Sequence, residues 1–291
     1  MRRWALFALL AVSVSLAHGQ SRVLLPSAYA TYGHYDNGRS SVEWAGYATL
    51  ALKNRHYLTA GYSDLKISHA DWKYHQQMPV VGAMLTRLPF RVKAYYGHME
   101  GKFTAGNTLF QSYRDRGDVG TMEAIYSRPG YDLGVEYAYF SGNGQSYGHS
   151  AASQTPRLES HQFTGRVTCL LTPWFSLTAR HNFVHVTDGR KLYSLAVKAV
   201  YAPKYRWLVS VGGMVGERTY YFDNDLLVVF NQNDNQRGML FGEVEGPLWK
   251  WFSFTAEYIY APFEYVTVGG IPGTDYTVRY AVAGIKTRFQ L

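Results

Sequence analysis

The chain has 291 residues, a formal net charge of +8 and one cysteine, Cys169. A single cysteine excludes an internal disulfide and, with it, the class of small disulfide-stapled secreted domains. Charged residues make up only 17% of the chain and aromatic residues 16%, whereas a soluble protein has about a quarter charged residues. Part of the surface is therefore not expected to face water.

The first 19 residues have the pattern of a secretory signal peptide. Met1–Arg3 is basic, Trp4–Leu16 is apolar, and Ala17–Gly19 has small residues where a signal peptidase cuts. The apolar run is shorter than the ~20 residues of a spanning helix. We predict cleavage before Gln20 and one domain over residues 20–291. An exported, aromatic-rich chain without a long apolar helix is typical of a closed membrane barrel.

The remaining chain alternates apolar and polar residues with period two, which predicts strands. Clear runs are Phe90–Tyr96, Tyr131–Tyr139, Tyr193–Tyr201 and Phe252–Tyr260. One face of each run is apolar with aromatic ends, and the other face has small or charged residues. An apolar band between two aromatic girdles is the pattern of a membrane-spanning barrel.

Short turns alternate with longer polar segments along the chain. The short turns, most of which contain proline, fall at residues 53–56, 88–89, 128–130, 172–173, 202–204 and 246–247. The longer segments are residues 36–41, 69–77, 104–118, 141–160, 188–191, 223–236 and 262–275. Short periplasmic turns opposite longer extracellular loops are the outer-membrane arrangement.

The alternation of strands with turns and loops predicts an all-β fold, a transmembrane antiparallel up-and-down β-barrel. We predict about 14 strands, and a count from 12 to 16 remains possible. The predicted strands lie near residues 27–35, 42–52, 56–67, 79–87, 90–102, 118–127, 131–140, 161–171, 174–186, 191–201, 206–217, 238–246, 251–261 and 276–291. An even number of strands places both termini on the periplasmic side. Either residues 141–160 or residues 223–236 are the segment expected to fold inward if a loop enters the lumen.

The C-terminal residues alternate to the end of the chain. Ile285, Phe289 and Leu291 share a face, which resembles the C-terminal signal that outer-membrane barrels present to their insertion machinery. The apolar residues of Val278–Val282 lie on the opposite parity, which predicts a bulge or an irregular register near Ala283.

The whole layout resembles small outer-membrane β-barrels, such as the YaiO-like family and other small porin-like barrels. The resemblance implies a location in the bacterial outer membrane. It also implies contacts with outer-membrane lipid and lipopolysaccharide, with the insertion machinery through the last strand, and with an envelope protein partner. No nucleic-acid motif accompanies the positive charge, so we expect no nucleic-acid partner. Barrels of this kind include pores, substrate-specific channels, export partners and lipid-modifying enzymes, so the resemblance does not fix the function.

If the apolar face lies against lipid, the opposite parity faces the lumen. The predicted lumen-facing cations, our candidate solute-binding residues, are Arg91, Lys93, Arg166, Arg180, Lys198, Arg218, Lys286 and Arg288. The predicted lumen-facing acids are Glu43, Glu123, Asp132, Glu136, Glu243, Glu245 and Glu257. A basic stripe attracts anionic solutes, but charge pairing between neighbouring strands accounts for the same residues.

Two further patterns give weaker support for a catalytic or a metal site. The segment His34–Ser40 looks like the active-site segment of outer-membrane phospholipase A, in which a serine two residues after the histidine is the nucleophile. Asp36 occupies that position here, and Asn37-Gly38 is a strong hairpin-turn signal. His181 and His185 share a strand face, but a metal site needs three or four converging ligands. We therefore predict no catalytic residue, no metal site and no cofactor.

Three functions follow from these observations. The first is an outer-membrane channel that passes small hydrophilic solutes, with a preference for anions, or a glycan. The alternative is a closed-lumen barrel that serves as a structural or partner subunit of an envelope export assembly. The second alternative, an outer-membrane lipid hydrolase, depends on His34 alone, and we predict that the protein is not an enzyme.

Overall fold

A computed structural model describes residues 22–52, 55–106, 112–143, 157–203, 207–223, 228–230, 234–266 and 272–290. The predicted signal peptide, residues 1–19, lies outside the described residues. The strands are β1 (Arg22–Tyr35), β2 (Ser40–Leu52), β3 (His56–His69), β4 (Trp72–Arg87), β5 (Phe90–Ala105), β6 (Tyr113–Arg128), β7 (Tyr131–Asn143), β8 (Arg157–Thr172), β9 (Phe175–Val186), β10 (Lys191–Tyr201), β11 (Leu208–Arg218), β12 (Tyr221–Asp223), β13 (Val228–Phe230), β14 (Asn235–Trp249), β15 (Phe252–Val266), β16 (Pro272–Thr287) and β17 (Phe289–Gln290). Within the described ranges, no helix is long and apolar enough to cross a membrane.

Fourteen of the described strands close into one antiparallel barrel, as predicted. Strands β1 to β11 pair with their neighbours in chain order, β11 pairs with β14, and β16 returns to pair with β1. Strand β17 continues along β1 beyond β16, and β12 and β13 form a separate hairpin between β11 and β14. The closed ladder satisfies the backbone hydrogen bonds within the barrel and leaves it without a free edge.

The two ends of the barrel differ in how the strands are connected. The short-turn end, where residues 22 and 290 also lie, has connections at residues 53–55, 88–89, 129–130, 173–174, 202–207 and 250–251. The long-loop end has connections at residues 36–39, 70–71, 106–112, 144–156, 187–190, 219–234 and 267–271. The connections at the second end are longer on the whole, as predicted, but residues 70–71, within the predicted loop 69–77, form a short turn.

Several strands extend further toward the long-loop end than predicted. Residues 72–77 and 113–118, predicted as loop, belong to β4 and β6. Their side chains continue the packed inner face, because the Phe103 ring lies 5.4 Å from the Trp72 ring and 4.9 Å from the Tyr113 ring. The prediction was wrong here because polar side chains on the outer face masked the continuing apolar inner face.

The predicted bulge near Ala283 is also wrong. Ala283 pairs with Ala30 on β1 and Ala256 on β15 within an unbroken register. Val278 is fully buried on the inner face of β16, whereas Ile285 is exposed on the outer face. The apolar residues change parity because β16 is apolar on both faces. The strand contains no bulge at this position.

The outer face of the barrel is apolar between two rows of aromatic side chains. The exposed aromatic residues toward the long-loop end are Tyr32, Trp44, Tyr62, Tyr96, Tyr137, Phe163, Tyr193, Tyr258 and Tyr260. Those toward the short-turn end are Phe90, Tyr131, Trp174, Tyr201, Trp207, Trp249, Trp251, Phe252 and Phe289. Exposed aliphatic residues such as Val135, Val197 and Val211 lie between the rows. This is the surface of a barrel that spans a bilayer.

Candidate functional site: the barrel lumen

The strand register places the predicted lumen residues on the inner face. Lys93 pairs with Glu123, and Arg166 pairs with Arg180, on neighbouring strands of this face. Arg218 is buried near the long-loop end, where its Nε atom donates to Gln236 Oε1 at 2.6 Å. The other predicted cations on the inner face are Arg91, Lys198 and Lys286. Arg288 lies beyond the last residue of β16 and is exposed at the short-turn end.

The most buried charge of the lumen is the carboxylate of Glu123 on β6, whose residue is 1% exposed. Lys93 Nζ on β5 lies 3.1 Å from Glu123 Oε2, and Arg166 Nη1 on β8 donates to Glu123 Oε1 at 3.2 Å. We call these three residues the Glu123 cluster. One acid between two cations neutralises part of the predicted basic stripe and ties three strands together.

Further ion pairs line the half of the lumen toward the short-turn end. The pairs are Arg91–Asp132, Lys198–Glu243 at 3.3 Å and Lys286–Glu245. The side chains of Lys198 and Lys286 are 33% and 35% exposed, so water reaches them. Five of the predicted solute-binding cations therefore have an acidic partner, in a half of the lumen that is hydrated.

The pairing leaves the charge unevenly distributed around this half. Arg166, Arg180 and Lys198 occupy three consecutive strands, β8 to β10. Glu243 and Glu257 face each other on β14 and β15. The lumen thus has a basic side on β8 to β10 and an acidic side on β14 and β15, with β11 between them and the Lys198–Glu243 pair joining them. A charged solute in this half experiences an uneven field.

The half of the lumen toward the long-loop end is packed, with two apolar clusters and with buried polar side chains such as Gln162 and Asn182 on β8 and β9. One cluster of buried residues lies on β1, β11 and β14 to β16, and consists of Tyr35, Met214, Met239, Ile259, Ala261, Phe263, Tyr276 and Val278. A second lies on β4 to β7 and consists of Met78, Val80, Met99, Val119, Ala138 and Phe140. Side chains on a barrel wall are buried only when other groups cover them, so the lumen is filled at this level.

The connection between β11 and β14 supplies part of that filling. Tyr220, in the left-handed conformation with φ 44°, leaves the wall and stacks on Phe140 of β7 with the ring centroids 5.0 Å apart. The Arg190 guanidinium lies 5.8 Å from the centre of the Tyr220 ring. Asp234 and Gln236, from the segment predicted as one candidate for inward folding, are buried as well. Most of the other candidate, residues 144–156, lies outside the described residues.

A second set of contacts holds this connection at the rim, and we call it the Arg39 latch. The Arg39 guanidinium lies between two rings, 5.5 Å from the centre of Trp72 and 5.2 Å from that of Tyr276. Its Nη1 atom is 3.9 Å from Asp234 Oδ2, and the Tyr276 hydroxyl donates to the same oxygen at 2.7 Å. The latch joins the β1–β2 turn, the start of β4 and β16 to the end of the connection that covers the lumen.

Tyrosine rings lie against the inner wall between the two halves. Tyr47 covers Gly61, and Tyr95 covers Gly82, each on the neighbouring strand. A Cβ atom on Gly61 would lie 2.2 Å from Tyr47 Cδ1, and one on Gly82 would lie 2.0 Å from Tyr95 Cδ1. The absent side chains at these glycines allow both rings to lie flat on the wall.

The segment that resembles a lipase site has a structural role at the long-loop end. Asn37 and Gly38 form the predicted hairpin turn, with Gly38 at φ 83°. Asp36 Oδ1 accepts a hydrogen bond from the backbone N–H of Thr277 at 2.8 Å. His34 is exposed on the outer face and pairs with Ser40 across the hairpin. Among the residues that the structure describes, no group of three or more metal-ligating side chains converges.

Comparison with known proteins finds similarity in structure only. No protein-family model and no curated protein sequence matches the chain. The toluene transporter TodX of Pseudomonas putida superposes with a TM-score of 0.55 at 8% identity, over 94% of this chain and 91% of that one. The Ralstonia pickettii toluene transporter TbuX gives 0.53 at 11% identity, over 94% and 90%. A Pseudomonas aeruginosa FadL homologue gives 0.50 at 9% identity, over 95% and 91%. The likeness establishes a shared barrel fold, and the YaiO-like resemblance stays a prediction.

Proposed function

We propose that the chain is an outer-membrane channel for small solutes, with the short turns in the periplasm and the long-loop end outside the cell. The observation that carries the proposal is a hydrated, charge-lined lumen inside a closed barrel with an apolar outer face. Lys198 and Lys286 remain one-third exposed within the lumen although each has an acidic partner, and charged, hydrated linings of this kind are used by channels for ions and polar solutes. The shared fold of the two toluene transporters supports a transport role.

The two halves of the lumen favour a particular class of solute. The short-turn half has the basic side formed by Arg166, Arg180 and Lys198, which suits the predicted anionic solute. The long-loop half is lined by methionine and aromatic side chains, which suit an apolar or aromatic body. We propose a small amphipathic solute that joins an aromatic or aliphatic body to an anionic group.

One observation favours the alternative of a closed partner subunit. The inner face near the long-loop end is buried under Tyr220 and the Arg39 latch, so the described state is covered at that end. A channel with this structure must release the β11–β14 connection to conduct, whereas a partner subunit has no such requirement.

The test is solute flux through the purified, folded barrel. Proteoliposomes that contain the protein should take up benzoate faster than gluconate, which has the charge but no aromatic body. A planar bilayer under a salt gradient should show steady openings with a reversal potential that favours anions. A correctly folded, heat-modifiable barrel that gives neither flux nor openings, even with the latch removed, would contradict the channel and support the closed partner.

A further inference from the structure

The outer face of β3 to β6 has a row of basic side chains near the long-loop end. Lys66 on β3 pairs with His75 on β4, His75 pairs with Lys102 on β5, and Lys102 pairs with Arg114 on β6. We call these four residues the basic row. Adjacent strands are about 4.8 Å apart, so the row spans roughly 14 Å along the barrel rim.

The cations of the row are exposed to solvent. Lys66, Lys102 and Arg114 are exposed, and His75 is half-exposed. Lys66 has a distant ion pair with Asp64 at 3.8 Å, and its side chain remains 65% exposed, so this contact leaves its charge available. Two more exposed cations flank the row, because Lys73 lies one step nearer the rim and Arg116 one step nearer the membrane.

Three acids, Asp64, Glu100 and Asp118, lie near the row, and the partners of Asp64 include two members of the row itself, His75 and Lys66. Asp64 Oδ2 lies 2.8 Å from His75 Nε2 and accepts a hydrogen bond from Gln77 at 3.2 Å. Asp118 accepts a hydrogen bond from the Tyr96 hydroxyl at 2.6 Å. These acids lie on the membrane side of the basic row, and the exposed Asp71 on its rim side lies 3.7 Å from His69 Nδ1. The net positive charge of the row therefore rests on Lys102 and Arg114, with Lys66 largely exposed.

The position of the row matches the depth of lipid head groups. Tyr62, part of the exposed aromatic row, lies four residues below Lys66 on the same face of β3. Four residues of strand correspond to about 13 Å along the chain. The row therefore lies beyond the aromatic girdle, on the side of the rim. Long lysine and arginine side chains extend along the surface and place their charges at the head-group level from such a position.

A basic residue elsewhere on the rim shows that the row is unusual. Arg237 on β14 lies near three acids, Glu217 at 3.9 Å, Asp275 at 3.3 Å and Glu264 at closer range. Its charge is more than balanced by its neighbours, whereas Lys102 and Arg114 have no ion-pair partner in the described part of the chain.

We propose that the basic row binds the phosphate groups of lipopolysaccharide in the outer leaflet. The proposal rests on the outer-membrane location given under Proposed function, which turns the long-loop end toward that leaflet. Several cations spaced along one rim match a head group with several phosphates, and each contact is a charge-assisted hydrogen bond. The contact fixes the height of the barrel in the membrane on the side of β3 to β6.

The test compares two variants with the same loss of charge. The rim variant combines Lys66→Gln, Lys102→Gln and Arg114→Gln, and the control combines Arg87→Gln, Arg128→Gln and Lys250→Gln at the short-turn end. Purified barrels in neutral detergent are titrated with deep-rough lipopolysaccharide and with the same lipid after removal of its phosphates. We expect the rim variant to bind the phosphorylated lipid roughly tenfold or more weakly. We expect the control variant to bind it as the unaltered protein does, and the dephosphorylated lipid to bind all three weakly.

Equal losses in both variants would show attraction to net charge alone, and unchanged binding by the rim variant would show that the row is not the site. Either result overturns the proposal. The heat-modifiable band verifies that each variant is folded. Single-channel conductance of the rim variant, which leaves the lumen intact, tests the channel separately, so a failure of the channel and a failure of the lipid site are distinguishable.

Discussion

The two halves of the lumen are built from opposite chemistry on the same fourteen strands. Toward the short turns, inward positions have charges that pair across strands and remain in contact with water, as in Lys198–Glu243 and Lys286–Glu245. Toward the long loops, inward positions of β4 to β7 and β14 to β16 are largely methionine, valine and aromatic residues, such as Val80, Val278 and Phe140. Inward positions of β8 to β10 there include buried polar side chains that hydrogen-bond to one another. The short-turn half is hydrated and the long-loop half is packed.

Because the two halves differ in this way, we expect opening and selection of a solute to occur at different levels of the lumen. Paired charges hold their positions without filling the lumen, so the short-turn half selects by charge. Apolar side chains close on one another unless a solute separates them, so the long-loop half controls access. Four predictions test this division, and they are ordered by the size of the expected effect.

The largest effect is expected from breaking the Glu123 cluster. Glu123→Gln leaves Lys93 and Arg166 near each other without the acid between them, in a site where the carboxylate is almost fully buried. Loss of one member of a buried ion pair costs about 3 kcal/mol. Urea unfolding in lipid vesicles, followed by tryptophan fluorescence, should show this loss. Asp132→Asn is the matched control, because its pair with Arg91 is partly exposed and is worth about 1 kcal/mol or less. Equal destabilisation in both variants would contradict a special role for the buried cluster.

The second prediction concerns the cover of the long-loop half. Asp234→Ala removes the acceptor of the Tyr276 hydroxyl and the acidic partner of Arg39. Together the two contacts stabilise the closed state over the open state by about 1.4 kcal/mol. Their loss should therefore raise the open probability roughly tenfold. Single-channel recording measures it directly. Asp275→Ala, an exposed acid at the same end, is the control and should leave the open probability unchanged. No change with Asp234→Ala would show that the latch does not hold the lumen closed.

Much of the barrel was predictable from sequence because its strands alternate so regularly. The parity of Lys93 and Glu123 placed both on the inner face, and the register confirms that they are neighbours. The same parity rule failed at β16, where Val278 and Ile285 face opposite sides although both are apolar. Alternation with period two identifies the lipid-facing side only where the lumen-facing side chains are polar. At Val278 the lumen-facing side chain is apolar, so the rule fails there.

The Arg39 latch was not predictable from sequence. Arg39 follows an Asn-Gly turn, and its residue type and position are those of an ordinary solvated turn. Its partners Trp72, Asp234 and Tyr276 come from distant parts of the chain. They meet only because β16 closes on β1 and brings the last strand beside the first turn. The sequence also could not decide whether the lumen cations are paired with acids. Ion pairs between strands and a free basic stripe both predict the same residues on the lumen face.

The third prediction tests the basic side of the short-turn half. Arg180→Gln together with Lys198→Gln removes two cations from β9 and β10 without adding an acid. The ratio of anion to cation permeability should fall several-fold, because the acids on β14 and β15 then dominate the field in the lumen. The reversal potential under a salt gradient measures the ratio. Lys191→Gln, an exposed cation at the long-loop start of β10, should leave the reversal potential unchanged. An unaltered ratio in the double variant would show that ion pairing has removed the basic side altogether.

The smallest effect is expected where the tyrosine rings lie on glycines. In Gly61→Ala, the new Cβ atom meets the Tyr47 ring and lies 3.1 Å from the backbone oxygen of Gly46. The ring yields more easily than the backbone, so it turns toward the lumen and narrows it. Conductance in the open state should fall by roughly twofold or less, as the cross-section decreases. Gly165→Ala is the control, because nothing lies within 4 Å of its Cβ position. The double variant Gly61→Ala with Tyr47→Ala should recover the conductance, since the ring that blocks the lumen is gone. If conductance stays low in the double variant, the alanine acts on the wall itself and not through the ring.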